Sequence, residues 1–180
     1  LAQEYAKQMP VGSVIFLDGA LYGQLTSLYP LEKESDSTLP DDIRDLPDTI
    51  VKIYMDLFKT CAERHLFLIS IAKTSHEDAH GEVWWRDAHP NDKMPRKISD
   101  SEMIYRWTKH AAGHSTPILF GTTATFRGSR RVLDNLKDAP AIISFFIRLT
   151  DYDDALRIDV PASAIGRTET IGDVEIEQLI

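Results

Sequence analysis

Apolar residues fall in short runs separated by polar turns, and the period of each run predicts its element. Ser13-Val14-Ile15-Phe16-Leu17-Asp18-Gly19-Ala20-Leu21 is an apolar run broken by a carboxylate and a glycine, the pattern of a short buried strand that delivers one acid to a sheet edge. Asp-Gly is also an ordinary turn pair, because both residues favour tight backbone reversals, so the acid alone says little. Leu66 to Ala72 is almost wholly apolar and predicts a strand buried on both faces. It runs into Lys73-Thr74-Ser75. Two strand ends that carry Asp and Lys-Thr-Ser suggest a shared site. Between them, Ile50, Ile53, Tyr54, Leu57, Phe58 and Cys61 recur at three- and four-residue spacing, which makes one apolar stripe and predicts a helix packed on a sheet.

Farther along, Ser99 is placed as the N-cap of a helix from Asp100 to about Ala111, with Glu102 as the reciprocal acid of a capping box and Met103, Ile104 and Trp107 on the buried face. Val83-Trp84-Trp85 reads as a core or interface strand, with a stacking wedge as the alternative. Ala141 to Leu149 and Leu156 to Val160 read as paired strands around the polar Thr150-Asp151-Tyr152-Asp153-Asp154 turn. Helices and strands alternate, then strands pair. This order predicts an α/β domain with a mixed sheet and helices on its faces. Leu1 to Met9 resembles the last turns of a helix, and Asp173 to Ile180 begins an apolar pattern with no C-cap. The chain is therefore expected to be an internal piece of a longer protein.

Composition narrows the class. With 180 residues, 43% of them hydrophobic, the chain is long enough to bury one domain core. No stretch approaches the ~18 uninterrupted apolar residues of a membrane span, and the basic-then-apolar pattern of a signal peptide is missing, so cytoplasm is the default expectation. Cys61 is the sole cysteine and falls on the apolar helix face, where it reads as a buried thiol. A net charge of -8 disfavours indiscriminate coating of nucleic acid but leaves room for a local phosphate-binding groove. Arg127-Gly128-Ser129-Arg130-Arg131, beside Phe126, is the strongest basic cluster, and Lys93, Arg96 and Lys97 form another. Each reads either as a phosphate contact or as a solvated loop. The acidic, proline-rich stretch from Ser27 to Pro47 reads as a solvated loop. His76 and His80 are four residues apart, but a zinc site there would need a helix that the local sequence does not favour.

Taken in order, Leu-Asp-Gly-Ala-Leu, an amphipathic helix, Ile-Ser-Ile-Ala-Lys-Thr-Ser, Ile-Ser-Asp, Phe-Phe-Ile-Arg-Leu and Arg-Ile-Asp-Val-Pro make the chain resemble the NurA nucleases over residues 13 to 162. The resemblance implies an RNase H-like fold and a manganese-dependent (or magnesium-dependent) DNA nuclease, a 5′-3′ exonuclease and single-strand endonuclease. It also implies a homodimer that works in end resection and double-strand break repair with a HerA-type hexameric translocase. By the same resemblance Asp18 is the best metal ligand, and Glu4 is the candidate for the family's helix acid. Lys73, Thr74 and Ser75 match its lysine block, with Lys73 and Ser75 as nucleic-acid contacts, and Asp100 matches a later acid. Arg127, Arg130 and Arg131 are added as nucleic-acid contacts from their charge. Arg157 and Asp159 match a late block and read as a structural ion pair.

Two departures stand out. The family opens with an earlier strand ending in Asp-Gly-Ser and closes with a further helix, and neither is found in this sequence. A single NurA-like domain over residues 1–180 with an incomplete active site is the expectation, and this piece alone is expected to be inactive. The alternative is a catalytically inactive RNase H-like module that docks on a translocase. A haloacid-dehalogenase-type phosphohydrolase would need a second Asp two residues after the first, where Ala20 stands.

Overall fold

The computed structural model describes residues 1–22, 46–73, 79–92, 98–120, 136–174 and 176–178. A short helix α1 (Ala2–Ala6) precedes strand β1 (Val14–Asp18), and helix α2 (Leu46–Glu63) precedes strand β2 (Phe67–Ala72). Helices α3 (Ala79–Ala88) and α4 (Asp100–Trp107) follow, then strands β3 (Gly113–His114), β4 (Ile118–Phe120), β5 (Ile142–Arg148) and β6 (Leu156–Pro161). A 3-10 turn (Ala162–Ile165) leads toward strand β7 (Ile176–Gln178).

Among the described residues the strands make one sheet in the order β1-β2-β6-β5-β4-β7, with β3 pairing β5 farther along the edge that β4 occupies. Only β1 and β2 pair in parallel, since a long crossover containing α2 separates them; β5 and β6 are joined by a tight turn and pair antiparallel. The turn is held by Arg148 Nε donating to Asp153 O at 2.8 Å, with Tyr152 at φ 71°. The expected α/β mixed sheet flanked by helices is what the chain forms.

Register sorts the side chains into two faces, because strand residues alternate and paired residues share a face. Ile15, Leu17, Leu68, Ser70, Arg157, Asp159, Ile142, Ser144 and Phe146 lie on the face covered by the helices. The main core sits there, joining Leu68, Ile118 and Ile142 to Ala6 of α1, Val51, Leu57, Phe58 and Cys61 of α2, and Val83 of α3. Burial pushes the Cys61 thiol pKa up, as expected for an inert core cysteine. Tyr22 packs edge-on against Phe58 at 5.5 Å, donates to Pro140 O, and has its phenol pKa raised well above the ordinary value by burial. The opposite face carries a smaller cluster of Leu119, Ala141, Ile143 and Ala162.

Four sequence expectations change. β2 is fully buried on the helical face alone: Phe67 is 47% exposed and Ile69 and Ile71 are half-buried. Trp84 and Trp85 stand in helix α3 and not in a strand, because Val83 and the two tryptophans share one turn with His80 anchored below them. Helix α4 stops at Trp107 instead of Ala111, since Thr108 Oγ1 donates to Ile104 O and Lys109 and His110 turn left-handed at φ 48° and 60°. Trp107 is consequently 58% exposed, while Met103 and Ile104 are buried as expected. The final apolar pattern yields the strand β7, not a helix. Ser99 does cap α4, accepting from Glu102 N at 3.3 Å, while the Glu102 carboxylate turns to Arg106 at 2.6 Å.

Candidate active-site edge and the buried polar row

Alternation points Asp18 away from the core. Its row across the sheet runs Asp18, Ile71, Ile158, Phe145, on the face opposite the helices, and the residue is exposed. Gly19 then turns the chain at φ +103°, a conformation L side chains avoid, and its N–H donates to Ile71 O at 2.9 Å. The turn swings Leu21 and Tyr22 back over the sheet into the core. Asp-Gly is thus both readings at once: Gly19 makes the turn, and Asp18 is left facing solvent at the carboxyl end of β1. Lys73, exposed, lies just past the carboxyl end of the neighbouring parallel strand, so the two strand ends do share one edge.

Glu4 is not brought to that edge. It sits on α1, in the helical layer, bonded to Lys7 at 2.8 Å, and this hydrogen bond and charge hold its carboxyl below the usual range. Asp100 is also on the helical side and has no solvent exposure. Its Oδ1 accepts from Gly81 N at 2.8 Å, and its Oδ2 accepts from His80 N at 3.2 Å and faces His80 Nδ1 at 3.1 Å. The acid therefore serves the first turns of two helices, its own α4 and α3, whose N-terminal amides it caps. The Gly81 position allows this close approach, since a Cβ there would stand 2.6 Å from Met103 Cε. Ser75, Arg127, Arg130 and Arg131, like Thr74, His76 and the cluster at Lys93, Arg96 and Lys97, lie outside the described residues.

His80 links Asp100 to the sheet. Its Nε2 faces Ser144 O at 3.2 Å, and its ring meets Phe146 edge-on at 4.9 Å. Both ring nitrogens therefore have a partner. From Ser144 a buried polar row crosses three strands. Ser144 Oγ donates to Asp159 Oδ1 at 2.6 Å, Arg157 Nε donates to the same oxygen at 2.7 Å, and Leu21 N donates to Asp159 Oδ2 at 3.0 Å. Ser70, paired with Asp159 across the strands, donates from its Oγ to Gly19 O. The expected Arg157–Asp159 ion pair is present, buried at 2% and 1% side-chain exposure. His80 and Ser144 were not singled out from sequence as partners of these groups, because nothing in their local spacing joins them.

Chemically, the exposed edge offers one hard carboxylate oxygen ligand and one ammonium, a set suited to magnesium or manganese and phosphate. Among the described residues no three His, Cys, Asp or Glu side chains come together to hold a metal ion. Those residues by themselves do not compose a metal site. No described helix is long and apolar enough to cross a membrane.

A mixed α/β sheet with a solvent-facing acid at the carboxyl edge of its parallel pair defines the class. The sequence model of the NurA domain matches residues 1–171, and the chain belongs to that family. No curated protein matches it. Among solved structures, the chain is similar to the crystal structure of the NurA nuclease from Sulfolobus solfataricus, at 17% identity and a TM-score of 0.47, over 92% of this chain and 51% of that one. The chain thus spans about half the length of that protein.

Proposed function

We propose that this chain supplies part of the active site of a divalent-metal-dependent DNA nuclease. Membership of the NurA family supports the reaction class, and the observation that carries the site is Asp18, an exposed carboxylate at a strand edge beside Lys73. In this reading Asp18 is one ligand of manganese or magnesium, and the further carboxylates come from outside the described residues. Such ions activate the attacking water and offset charge on the leaving oxygen. Lys73 holds a phosphate next to the scissile one, with Ser75 and Arg127, Arg130 and Arg131 as further contacts along the strand. The substrate is a DNA end, resected 5′ to 3′ and cleaved endonucleolytically where single-stranded, by a homodimer coupled to a HerA-type hexameric translocase during break repair. Glu4 and Asp100 leave the metal set in this reading, since one is paired to Lys7 and the other buried beneath α3.

The test is manganese-dependent degradation of end-labelled DNA by the full-length protein, beside Asp18→Ala and beside the 180-residue chain. Cleavage by the full protein that disappears in both others is the expected result. No cleavage by the full protein, with or without a translocase partner, sinks the nuclease reading in favour of an inactive docking module.

A further inference from the structure

Asp18 closes β1 as an exposed carboxylate, and among the described residues its oxygens have no hydrogen-bond partner, so the backbone alone aims it. The next residue is Gly19, of the type with the most backbone freedom. No described atom stands within 4 Å of where a Cβ on Gly19 would lie, so packing does not pin the chain at that point. Three hydrogen bonds do. Gly19 N donates to Ile71 O at 2.9 Å, Ser70 Oγ donates to Gly19 O, and Leu21 N donates to Asp159 Oδ2 at 3.0 Å. The first continues the strand pairing past Asp18, and the other two come from side chains.

Those two side chains lie on the helical face at 1% exposure each, while Asp18 points from the opposite face. Asp159 is itself held. Its Oδ1 accepts from Ser144 Oγ at 2.6 Å and Arg157 Nε at 2.7 Å, which leaves Oδ2 to Leu21 N. Ser70 stands on β2 shortly before Lys73, so its hydroxyl joins the turn after one strand end to the strand that delivers the other.

We infer that Ser70 and Asp159 are positioning residues for the candidate active-site edge. From behind the sheet they fix the direction of Asp18 and its separation from Lys73, and they touch nothing that Asp18 engages. Stability alone does not call for a buried charged pair, because well-packed hydrocarbon in its place is often as stable or more so. What hydrocarbon cannot do is bond Leu21 N and Gly19 O. The inference rests on the nuclease reading for what Asp18 does at the edge.

Two readouts on the full-length protein test it: amide exchange at Gly19 and Leu21, and the kcat and KM of manganese-dependent DNA cleavage. Ser70→Ala deletes one hydroxyl and leaves the Arg157–Asp159 pair in place. It is expected to speed exchange at both amides about tenfold, the effect of one lost hydrogen bond. In the same variant kcat falls about ten- to hundredfold, as it does when a reacting group is misplaced, with KM unchanged. Ser144→Ala is the control, since it takes one bond from Asp159 and none from the turn, and it keeps wild-type exchange at both amides and wild-type kcat. Either wild-type kcat or wild-type exchange in Ser70→Ala overturns the inference. An equal loss of kcat in Ser144→Ala overturns it too, as does faster exchange throughout β1, β2 and β6, since either would make the row a general support of the sheet. If the full-length wild type cleaves no DNA, the nuclease reading falls, while exchange still decides the tether: a rise confined to Gly19 and Leu21 supports it and no rise removes it.

Discussion

Replacing Asp100 by alanine would remove an acceptor from three groups in a place water does not reach: His80 N at 3.2 Å, His80 Nδ1 at 3.1 Å and Gly81 N at 2.8 Å. Each buried donor left without a partner costs about 1–3 kcal/mol. Three such donors put the loss at about 3 kcal/mol or more, a large share of the ~5–15 kcal/mol that holds a domain folded. Asp100→Asn is expected to lose less, about 1–3 kcal/mol, because one amide oxygen still accepts from Gly81 N while the amino group faces the His80 N–H. Urea unfolding reads both: with a slope of ~1–3 kcal/mol per molar, the alanine midpoint falls by at least about 1 M. A loss below about 1 kcal/mol for Asp100→Ala would refute the capping role. The asparagine variant also separates structure from chemistry. If it kept the wild-type midpoint and lost all DNA cleavage, Asp100 would belong at the metal after all.

Two further outcomes follow from the same geometry. Gly19→Ala meets no neighbouring atom, so its cost comes only from holding φ near +103°, about 1–2 kcal/mol in thermal unfolding, and a neutral result would mean the turn relaxes. Hydrogen bonds from Arg167 at 2.5 and 3.0 Å, then a backbone hydrogen bond at Glu169 and after it the Arg167 charge, bring the Glu169 carboxyl down to about 2. Because the folded value is the depressed one, the stabilisation is present above the ordinary value of 4.5 and is lost as pH falls through about 2. Carboxyl NMR titration of wild type and Arg167→Ala checks this, with the variant moving up toward the ordinary range and the backbone hydrogen bonds keeping part of the depression.

Elements whose signal is local were legible in the sequence. The stripe from Ile50 to Cys61, the runs ending at Asp18 and Ala72, and the pair at Ala141 to Leu149 and Leu156 to Val160 all form where periodicity puts them. Helix α3 was missed because its short stripe, His80, Val83 and Trp84, mixes a buried histidine with tryptophans that also suit strands. β3 and β4 have two and three residues, too few for any period to show. The site was legible in chemistry more than in place. Asp18 and Lys73 could be joined from sequence because each closes a strand. Glu4 and Asp100 were chosen by residue type and order, and only the packing of α1 and α4 reveals that both lie in the helical layer.

The row of Ser70, Asp159, Arg157 and Ser144 also restricts how the strands can align. A one-residue slip of β6 against β5 would turn Asp159 and Arg157 outward and carry Ile158 and Val160 beneath the helices, where Ser144, Ser70 and Leu21 N would face hydrocarbon. Apolar strands such as Phe67–Ala72 are forgiving of misalignment, because each neighbour along them resembles the last. A charged pair at one fixed position along β6 removes that tolerance. The strands that hold the candidate edge are thereby locked to a single alignment, and the helical layer can close only over a sheet that has found it.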